Sequence, residues 1–460
     1  MKSGNIKALI VCNVPCNTII NYKYIMKKLL LSTFTLCFIL NVNAQSPCTD
    51  GRYASDVFSD FDLTSDIEFG QNSTWTGGQY TLKMDFYEPQ GDTETERPLL
   101  IWVHGGSFIG GDKTDYDMVQ FSKRFAKKGY ACASINYRLG FFPIDSANAV
   151  KAVVRATQDL RAAIRFFYKD KQTANNYKID TNKIFIGGSS AGAITALHVG
   201  YLDDACEIED YLNESTIQSM GGIEGTSGNP GYSSNVQGVI NGCGALARYS
   251  WMEAGDIPLC SFHGTNDGTV TYNRGIVNPG IPLMYLDGSR MLHERACAIG
   301  VEEYFYTYEG AGHVPYAGDA ALMNLTVNFI RDFLVLQLGC NETPLQPENP
   351  PSEEAILYSI NYCDGTPVDE ICAPVNLSEM NEVNFKIYPN PAHGSISIDS
   401  DSEFNTIRVF NIQGKELMLL DGIQNGSNID LSRFENGSYI IQLQTKNGSF
   451  SKAKRFELIQ

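Results

Sequence analysis

Residues 183–192 read KIFIGGSSAG, and the helical-looking stretch AITALHVG follows at 193–200. Residues 183–186, three of them apolar, predict a strand that runs into GSSAG at 188–192. A Gly-x-Ser-x-Gly between a strand and a helix is typical of a nucleophile elbow, where the serine hydroxyl is exposed at the helix N-terminus. Glycines suit such a turn because the abrupt change of direction leaves no room for Cβ atoms. Ser190 is therefore the predicted nucleophile, and the alternative is an ordinary Gly/Ser turn.

A second glycine motif, HGGSF at 104–108, also ends an apolar strand-like run, LLIWV at 99–103. Acyl transfer needs backbone N–H donors that point at a developing oxyanion, and glycines let a backbone approach the substrate closely. We therefore expect the N–H groups of Gly106 and Ser107 to join that of Ala191 in an oxyanion hole. His104 is predicted to be structural, because a side chain at a strand end can hold the loop in place. The alternative for HGGSF is a simple turn between strand and helix.

A nucleophilic serine needs a general base and a carboxylate that orients the base. HGTND at 263–267 closes the strand-like IPLCSF, and GAGH at 310–313 closes the next strand-like run. The chain order Ser190, Asp267, His313 is one of the known orders of a Ser-His-Asp triad. All three would lie at the carboxyl ends of parallel strands, where such sheets build their sites.

Three further histidines compete for the role of base. His198 follows Ser190 by eight residues on the same predicted helix, about 12 Å along its axis, which is too far for a hydrogen bond. His293 falls in the middle of a predicted helix, and His393 lies in the C-terminal region. We therefore expect structural roles for these three and keep His313 as the base.

Strand-like and helix-like stretches alternate through residues 45–339, which predicts one α/β domain. Residues 79–88 alternate in polarity, as a half-buried strand does, whereas 99–103 are continuously apolar, as in a strand covered on both faces. Repeated strand–helix units indicate a doubly wound, mainly parallel sheet with helices on both faces. The remaining predicted strands are 130–137, 183–186, 236–241, 257–264 and 302–308, and the predicted helices are 115–128, 147–168, 289–299 and 319–337.

The composition changes at residue 340. Residues 340–383 contain six prolines, nine acidic residues and no lysine or arginine, which predicts an acidic linker. Residues 384–460 show short alternating strands separated by turn signals such as NGS, which predicts a small all-β sandwich module.

The first 44 residues are not expected to belong to the fold. From Met26 the order is a lysine pair, an apolar stretch and a small-residue cleavage site that ends at Ala44, which is typical of a secretory signal peptide. Residues 1–25 are an upstream extension, and we expect translation to start at Met26.

Charge and hydropathy exclude several classes of protein. The chain has 35 basic and 52 acidic residues, a net charge of −17, which argues against nucleic acid or an anionic membrane as a partner. With 43% hydrophobic residues, wholesale disorder is excluded. No run of 18 apolar residues appears, so no transmembrane span is predicted.

Nine cysteines remain after residue 44, an odd number that leaves at least one thiol free if disulfides form after export. Cys132, in an apolar strand-like run, is the candidate for a buried free thiol, and Cys363–Cys372 is a plausible local disulfide. No cysteine or histidine spacing suggests a metal site, so neither a metal nor an organic cofactor is expected.

The motifs HGGSF, GSSAG, HGTND and GAGH, in this order, resemble the carboxylesterase/lipase group of the α/β-hydrolase superfamily over roughly residues 79–339. The resemblance implies Ser190 as nucleophile, His313 as base, Asp267 as its partner, and Gly106, Ser107 and Ala191 as oxyanion donors. Two positions depart from the family pattern: Ser107 replaces the usual third glycine, and Ser189 stands where many relatives carry an acid.

The C-terminal module resembles a type A sorting domain of the type IX secretion system. The resemblance rests on Tyr388-Pro389-Asn390-Pro391, IRVFNIQGKEL at 407–417, GSYIIQL at 437–443 and the final KAKRFEL. It implies export through the periplasm of a Gram-negative bacterium by the secretion machinery, with release or anchoring at the cell surface. The alternative is a carbohydrate-binding module, which usually shows an exposed aromatic platform, and this module has no Trp.

Together these features predict a secreted serine carboxylic ester hydrolase. The alternatives are a peptidase or amidase of the same fold and a catalytically inactive surface binding protein. Residues 203–235, a candidate cap with seven acidic residues and sparse large apolar ones, favour short or aryl acyl groups, such as acetyl or feruloyl esters on polysaccharides. A solvated loop that never touches substrate is the alternative for this segment.

Overall fold

The computed structural model describes residues 48–209, 211–351, 385–400, 403–411, 416–445 and 454–459. The predicted signal peptide and the Cys363–Cys372 disulfide lie outside these residues. Within the described part of the chain, no helix is both long and apolar enough to cross a membrane.

A single eight-stranded sheet organises the described residues up to 351. Its spatial order is β1-β2-β4-β3-β5-β6-β8-β11. The strands are β1 (Phe61–Ser73), β2 (Gln79–Pro89), β3 (Arg97–Val103), β4 (Ala131–Ile135), β5 (Ile179–Ser189), β6 (Gly238–Gly242), β8 (Leu259–Gly264) and β11 (Glu303–Tyr308). The first two are antiparallel, and the six from β4 to β11 are parallel to one another. The predicted mainly parallel sheet is thus confirmed.

Helices cover both faces of this sheet. They are α1 (Tyr116–Lys128), α2 (Ser146–Gln172), α3 (Ala191–Tyr201), α4 (Ala205–Glu209), α5 (Glu214–Ser219), α6 (Ser289–Ile299) and α7 (Ala320–Gln337). Successive residues of β3 enter two separate cores: Ile101 packs in the core with α2, α3 and α6, and Trp102 in the core with α1 and α7. Because side chains alternate across a strand, a continuously apolar β3 supplies both cores, as its sequence predicts.

A small three-stranded sheet lies apart from the main one and was not predicted. It pairs β7 (Ala245–Leu246), β10 (Tyr285–Gly288) and β9 (Arg274–Ile276). These strands are two to four residues long, too short for a clear alternation in the sequence.

Residues 340–349 pack onto the domain of the eight-stranded sheet, although the sequence predicts them as the start of the linker. Cys340 forms a disulfide with Cys48, 292 residues earlier. Asn349 then pairs with the edge strand β11: its N–H donates to the Phe305 carbonyl at 3.1 Å, and its carbonyl accepts from Thr307 N–H at 2.8 Å. Cys132 is a buried free thiol, as predicted.

The C-terminal module is all β, as predicted. One sheet contains β12 (Phe385–Tyr388), β13 (Ser395–Ser400) and β16 (Asn428–Asp430), and the other contains β14 (Phe404–Asn411), β15 (Glu416–Asp421), β17 (Gly437–Thr445) and β18 (Lys454–Leu458). The described strands pair antiparallel throughout and share one apolar core.

Candidate active site

Ser190 occupies the sharp turn between β5 and α3. Its backbone has φ 56° and ψ −120°, a conformation that residues with a Cβ atom rarely adopt. The Ser190 N–H donates to the carbonyl of Gly242 at 2.8 Å, at the end of the neighbouring strand β6. Strained backbone of this kind costs of order 1–3 kcal/mol and persists only where the surroundings hold it. The turn has the geometry that the GSSAG motif predicts.

Close packing explains the two glycines of this turn. A Cβ atom on Gly188 would lie 2.2 Å from the carbonyl oxygen of Val103, and one on Gly192 would lie 1.9 Å from the same oxygen. Both distances are far below a van der Waals contact. The end of β3 therefore presses against both sides of the turn, and any larger residue would displace Ser190.

His313, in the loop after β11, connects Ser190 to Asp267. Its Nε2 lies 2.8 Å from Ser190 Oγ, and its Nδ1 lies 2.6 Å from Asp267 Oδ2. The three residues are separated by up to 123 positions in the chain, yet the parallel strands bring their loops to the same edge of the sheet. The structure thus brings together all three residues that the sequence singled out.

Asp267, in the loop after β8, has both carboxylate oxygens occupied. Oδ1 accepts hydrogen bonds from the N–H groups of Thr269 at 2.8 Å and Val270 at 3.0 Å. Oδ2 faces two imidazoles, His313 and His263. Burial acts to raise the pKa of Asp267, but the hydrogen bonds from His263 and His313 outweigh it and hold the pKa well below its usual value. The carboxylate is therefore ionised at neutral pH.

His263 is the site residue that the sequence reasoning missed. Its Nε2 lies 3.1 Å from Asp267 Oδ2 and 3.1 Å from the carbonyl of Val270. Both partners only accept, so Nε2 carries the proton. Nδ1 lies 2.7 Å from Ser289 Oγ, whose hydroxyl therefore donates to it. The sequence feature that could have identified His263 is its place as the first residue of HGTND, four positions before the predicted carboxylate Asp267.

Behind His263 the polar chain continues into the core. Asn241 donates through Nδ2 to Ser289 Oγ and to Ser261 Oγ, both at 3.0 Å. All three residues are buried. A buried network with each member paired is rigid, so it holds His263 in one orientation and one tautomer.

The predicted oxyanion loop has an unusual backbone. Gly106, Ser107 and Phe108 have φ values of 105°, 54° and 61°. A Cβ on Gly106 would lie 2.1 Å from the Gly110 carbonyl, so only glycine fits there. The N–H groups of Gly106, Ser107 and Ala191 have no acceptor among the described residues. They are available to a ligand beside Ser190.

His104 is buried and holds this loop, as predicted. Its Nδ1 lies 2.7 Å from the carbonyl of Gly105, and its ring stacks on Tyr137 with centroids 4.4 Å apart. The Tyr137 hydroxyl lies 3.2 Å from the His104 carbonyl. Burial lowers the pKa of His104. The ring is therefore neutral at neutral pH.

The three competing histidines have other partners. His198 Nδ1 lies 2.7 Å from the Ile194 carbonyl, and His393 Nδ1 lies 2.8 Å from the Ile459 carbonyl. His293 is hydrogen-bonded to Glu303. Burial acts to lower the pKa of His293, and the bond with Glu303 reverses this and raises it. None of the three contacts Ser190 in the described structure.

Ser189, where many relatives carry an acid, hydrogen-bonds inside the core. Its Oγ lies 2.7 Å from the hydroxyl of Tyr316. It also hydrogen-bonds the buried Asp117, whose pKa is raised by burial in spite of that bond. A carboxyl group is thus present beneath the turn, supplied by α1 instead of the position before Ser190.

Cys243, His263 and Asp267 have potential ligand atoms within 4.8 Å of one another, but they do not fit a metal. Burial raises the pKa of Cys243 to about 12, so the thiol is protonated. The Asp267 oxygens are already occupied by four N–H donors. A metal ion at this place would have to displace at least one of these four hydrogen bonds.

An apolar cavity of about 70 Å³ opens beside Ser190. Ser107 and Ala191 border it at the same end as Ser190. Ile208 and Tyr211, from the candidate cap 203–235, also line it, so part of this segment faces the cavity. Other lining residues are Val150, Val154, Ile194, Leu202, Trp251 and Leu283.

Two regions of the chain match families of known proteins. Residues 84–224 match the BD-FAE family, and residues 386–456 match the secretion system C-terminal sorting domain. The chain is 29% identical to gut esterase 1 of Caenorhabditis elegans over 154 residues, which are 33% of this chain and 26% of that protein. It is 26% identical to lipase 1 of Geotrichum candidum over 175 residues, 36% of this chain and 31% of the lipase. The chain thus spans about a quarter to a third of the length of these curated relatives.

Among solved structures, the apo form of Thermogutta terrifontis esterase 2 aligns with 60% of this chain and 96% of its own, at 20% identity and a TM-score of 0.45. The family matches and the observed sheet agree with the resemblance that the motifs carry. The chain therefore contains an α/β-hydrolase domain that is similar to the BD-FAE family over residues 84–224 and a C-terminal module that is similar to the secretion system C-terminal sorting domain over residues 386–456.

Proposed function

We propose that this protein is a secreted serine carboxylic ester hydrolase. The observation that carries the proposal is the hydrogen-bonded series from Ser190 Oγ to His313 Nε2, at 2.8 Å, and from His313 Nδ1 to Asp267 Oδ2, at 2.6 Å. This series lies beside a cavity, and Ser190 occupies the apex of a strained turn. A purely structural serine would need none of these features.

In the proposed mechanism, Ser190 Oγ attacks the acyl carbon while His313 Nε2 accepts its proton. Ionised Asp267 accepts from His313 Nδ1 and stabilises the imidazolium that forms. The N–H groups of Gly106, Ser107 and Ala191 receive the oxyanion, and His313 then protonates the leaving alcohol. Water, deprotonated by His313, hydrolyses the acyl-enzyme. Each step uses side chains of this chain and water, and we assign no cofactor.

We further propose short or aryl acyl groups as substrates, for example acetyl or feruloyl esters of polysaccharides. The cavity wall is apolar, which suits an acyl group, and α3 offers about 12 Å between Ser190 and His198. A carbon chain advances roughly 1.2 Å per bond, by analogy with extended backbone, so a dodecanoyl chain of about 13 Å would exceed this length. Acidic residues of the cap, such as Asp203 and Glu214, would repel anionic products.

The first experiment labels the secreted protein with a fluorophosphonate probe and measures hydrolysis of p-nitrophenyl esters from C2 to C16. We expect Ser190-dependent labelling and activity that peaks at C2–C4 and falls sharply by C12. Absence of labelling supports the alternative of an inactive binding protein. A maximum at C12 or longer contradicts the proposed acyl preference. Faster cleavage of peptide p-nitroanilides than of esters supports the peptidase alternative.

For localisation we propose export through the periplasm of a Gram-negative bacterium, with release or surface anchoring. The match of residues 386–456 to a sorting domain supports this route. Deletion of residues 384–460 should trap active enzyme in the periplasm. Normal activity at the surface or in the medium from that deletion would contradict the sorting role.

A further inference from the structure

His198 lines the cavity at the end remote from the nucleophile. It lies on α3 eight residues after Ser190, about 12 Å along the helix axis. The side chain is buried, with 5% of its surface exposed, and it borders the same cavity as Ser190. Its ring meets that of Trp251 edge to face, with centroids 5.5 Å apart. The mechanism above makes no use of this imidazole.

The hydrogen bonds of His198 define its tautomer. Nδ1 lies 2.7 Å from the carbonyl of Ile194, which can only accept, so Nδ1 carries the proton. Burial lowers the pKa of His198 to about 4, although the bond to Ile194 acts in the opposite direction. At neutral pH the ring is uncharged. Nε2 is therefore a bare acceptor with an unshared lone pair.

Nε2 of His198 has no hydrogen-bond partner among the described residues. Protein atoms do not enclose it completely, so part of its surface is accessible. The open space that His198 borders is the cavity. Two other polar groups of the wall are already paired: the Tyr211 hydroxyl lies 3.2 Å from the Ala247 carbonyl, and that of Thr157 lies 2.9 Å from the Val154 carbonyl. Nε2 is thus a vacant acceptor in an apolar wall.

A vacant acceptor of this kind discriminates between acyl groups. An acyl group without a donor would bury Nε2 unpaired, which carries a desolvation penalty, whereas a hydroxyl at the right distance would pair with it. The 12 Å span, less a hydrogen bond of about 2.8 Å, leaves roughly 9 Å between the nucleophile and that hydroxyl oxygen. This suits an aromatic ring joined to the carbonyl through a short spacer, with the hydroxyl at its far end.

We infer that His198 is a specificity-determining residue whose Nε2 accepts a hydrogen bond from a hydroxyl group at the distal end of an aryl acyl group. The inference rests on the proposed function, because it assumes that the acyl group of an ester occupies the cavity. It assigns a residue to the choice among aryl acyl esters, which the triad and the oxyanion donors cannot make.

The test compares three p-nitrophenyl esters with one leaving group: 3-(4-hydroxyphenyl)propanoate, 3-(4-methoxyphenyl)propanoate and 3-phenylpropanoate. We expect the wild-type protein to prefer the hydroxyl compound in kcat/KM by roughly 10- to 100-fold. The methoxy compound keeps the oxygen but cannot donate, so it should gain no preference over the unsubstituted ester. This comparison needs no variant and therefore does not depend on the folding of one.

His198→Phe keeps an aromatic ring but removes the acceptor, so the ratio of kcat/KM between hydroxyl and unsubstituted esters should fall to near one. His198→Gln supplies an amide oxygen and should retain part of the ratio. Thr157→Val, which alters a paired wall hydroxyl, is the matched control and should keep the wild-type ratio. Fluorophosphonate labelling of Ser190 counts the folded sites in each variant.

Equal wild-type rates on all three esters, or an undiminished ratio in His198→Phe, would overturn this inference while the ester hydrolase proposal stands. No hydrolysis of any ester and no probe labelling would overturn both. A ratio lost equally in Thr157→Val would also count against a specific role for His198.

Discussion

One carboxylate oxygen of Asp267, Oδ2, faces two imidazoles, and the surroundings of these two imidazoles differ. On one side, His313 has 24% of its side chain exposed and reaches Ser190 at the cavity. On the other, His263 is completely buried and continues into the paired network of Ser289 and Asn241. Each histidine belongs to a glycine-containing loop at a strand end, so in the sequence only the chain order Ser190, Asp267, His313 favours His313 as the base.

A proton acceptor and a positioning residue differ in what their free ring nitrogen meets. A general base needs an open side where a nucleophile and substrate can meet it, and His313 has one. Nε2 of His263 faces only acceptors, so it must donate, and its Nδ1 already accepts from Ser289. The buried side thus orients the carboxylate, and the open side carries the proton transfer that we propose.

The largest expected effect is on the open side. Ser190→Ala and His313→Ala should each lower kcat for ester hydrolysis by about 10⁴- to 10⁶-fold with the fold intact, since the residues of a triad act as a unit. Steady-state kinetics and circular dichroism provide the measurement. His293→Ala is the matched histidine control and should retain activity. If His293→Ala silences the enzyme and His313→Ala does not, the assignment of the base is wrong.

The second-largest loss of activity is expected at Asp267, the carboxylate that both imidazoles share. Asp267→Asn removes the charge that stabilises protonated His313 and replaces one of the two accepting oxygens with an NH2 group, so the side chain can no longer accept from both imidazoles and both backbone N–H groups. We expect kcat to fall by about 10³- to 10⁴-fold, with more residual activity than Ser190→Ala. Single-turnover kinetics would measure this. Activity equal to wild type would remove Asp267 from the proposed triad.

Substitution of His263, on the buried side of Asp267, should lower kcat less than substitution of Asp267 and should change how stability depends on pH. Because the pKa of folded Asp267 is lowered, the stability it contributes is present above its unfolded pKa of about 3.9 and is lost as pH falls through the folded value. His263→Leu removes one of the donors that lower this pKa. The free energy of unfolding should therefore decrease less between pH 7 and pH 2 in this variant than in the wild type, with the difference developing below about pH 3.

Urea unfolding at about pH 7, 4 and 2 measures that change. In the same variant, kcat should fall by roughly 10-fold through misorientation of Asp267. His263→Gln can still donate and is the control, which should recover part of both properties. An unchanged pH dependence in His263→Leu would show that His263 does not act on the carboxylate.

The smallest effect is expected one residue further from Asp267. Ser289→Ala removes the hydroxyl that donates to His263 Nδ1, so the ring loses its preferred orientation but keeps its place. We expect a decrease in kcat of a few-fold and a loss of about 1–2 kcal/mol in unfolding free energy, as for a buried hydrogen bond. A larger kinetic loss than in His263→Leu would reverse the proposed order of the two residues.

Local pattern was sufficient to predict most strands and helices of the main sheet domain and to select Ser190, Asp267 and His313 as candidate site residues. An apolar run such as LLIWV reports burial on both faces, and GSSAG reports a turn that excludes Cβ atoms, because both constraints act on neighbouring residues. The parallel order of the strands then brings loops far apart in sequence to one edge of the sheet.

Tertiary contacts decided the rest. Hydrophobic periodicity does not predict three features of the structure. These are the pairing of His263 with Asp267 on the side away from His313, the packing of residues 340–349 on β11, and the vacant Nε2 of His198. Each depends on which side chains meet across separate elements and on which polar atoms find partners when they are buried, and spacing along the chain does not specify these meetings. Chain order and local pattern were therefore enough to predict the fold class and to select the candidate triad, whereas the support that His263 gives to Asp267 and the polar groups of the cavity wall emerge only when separate elements pack together.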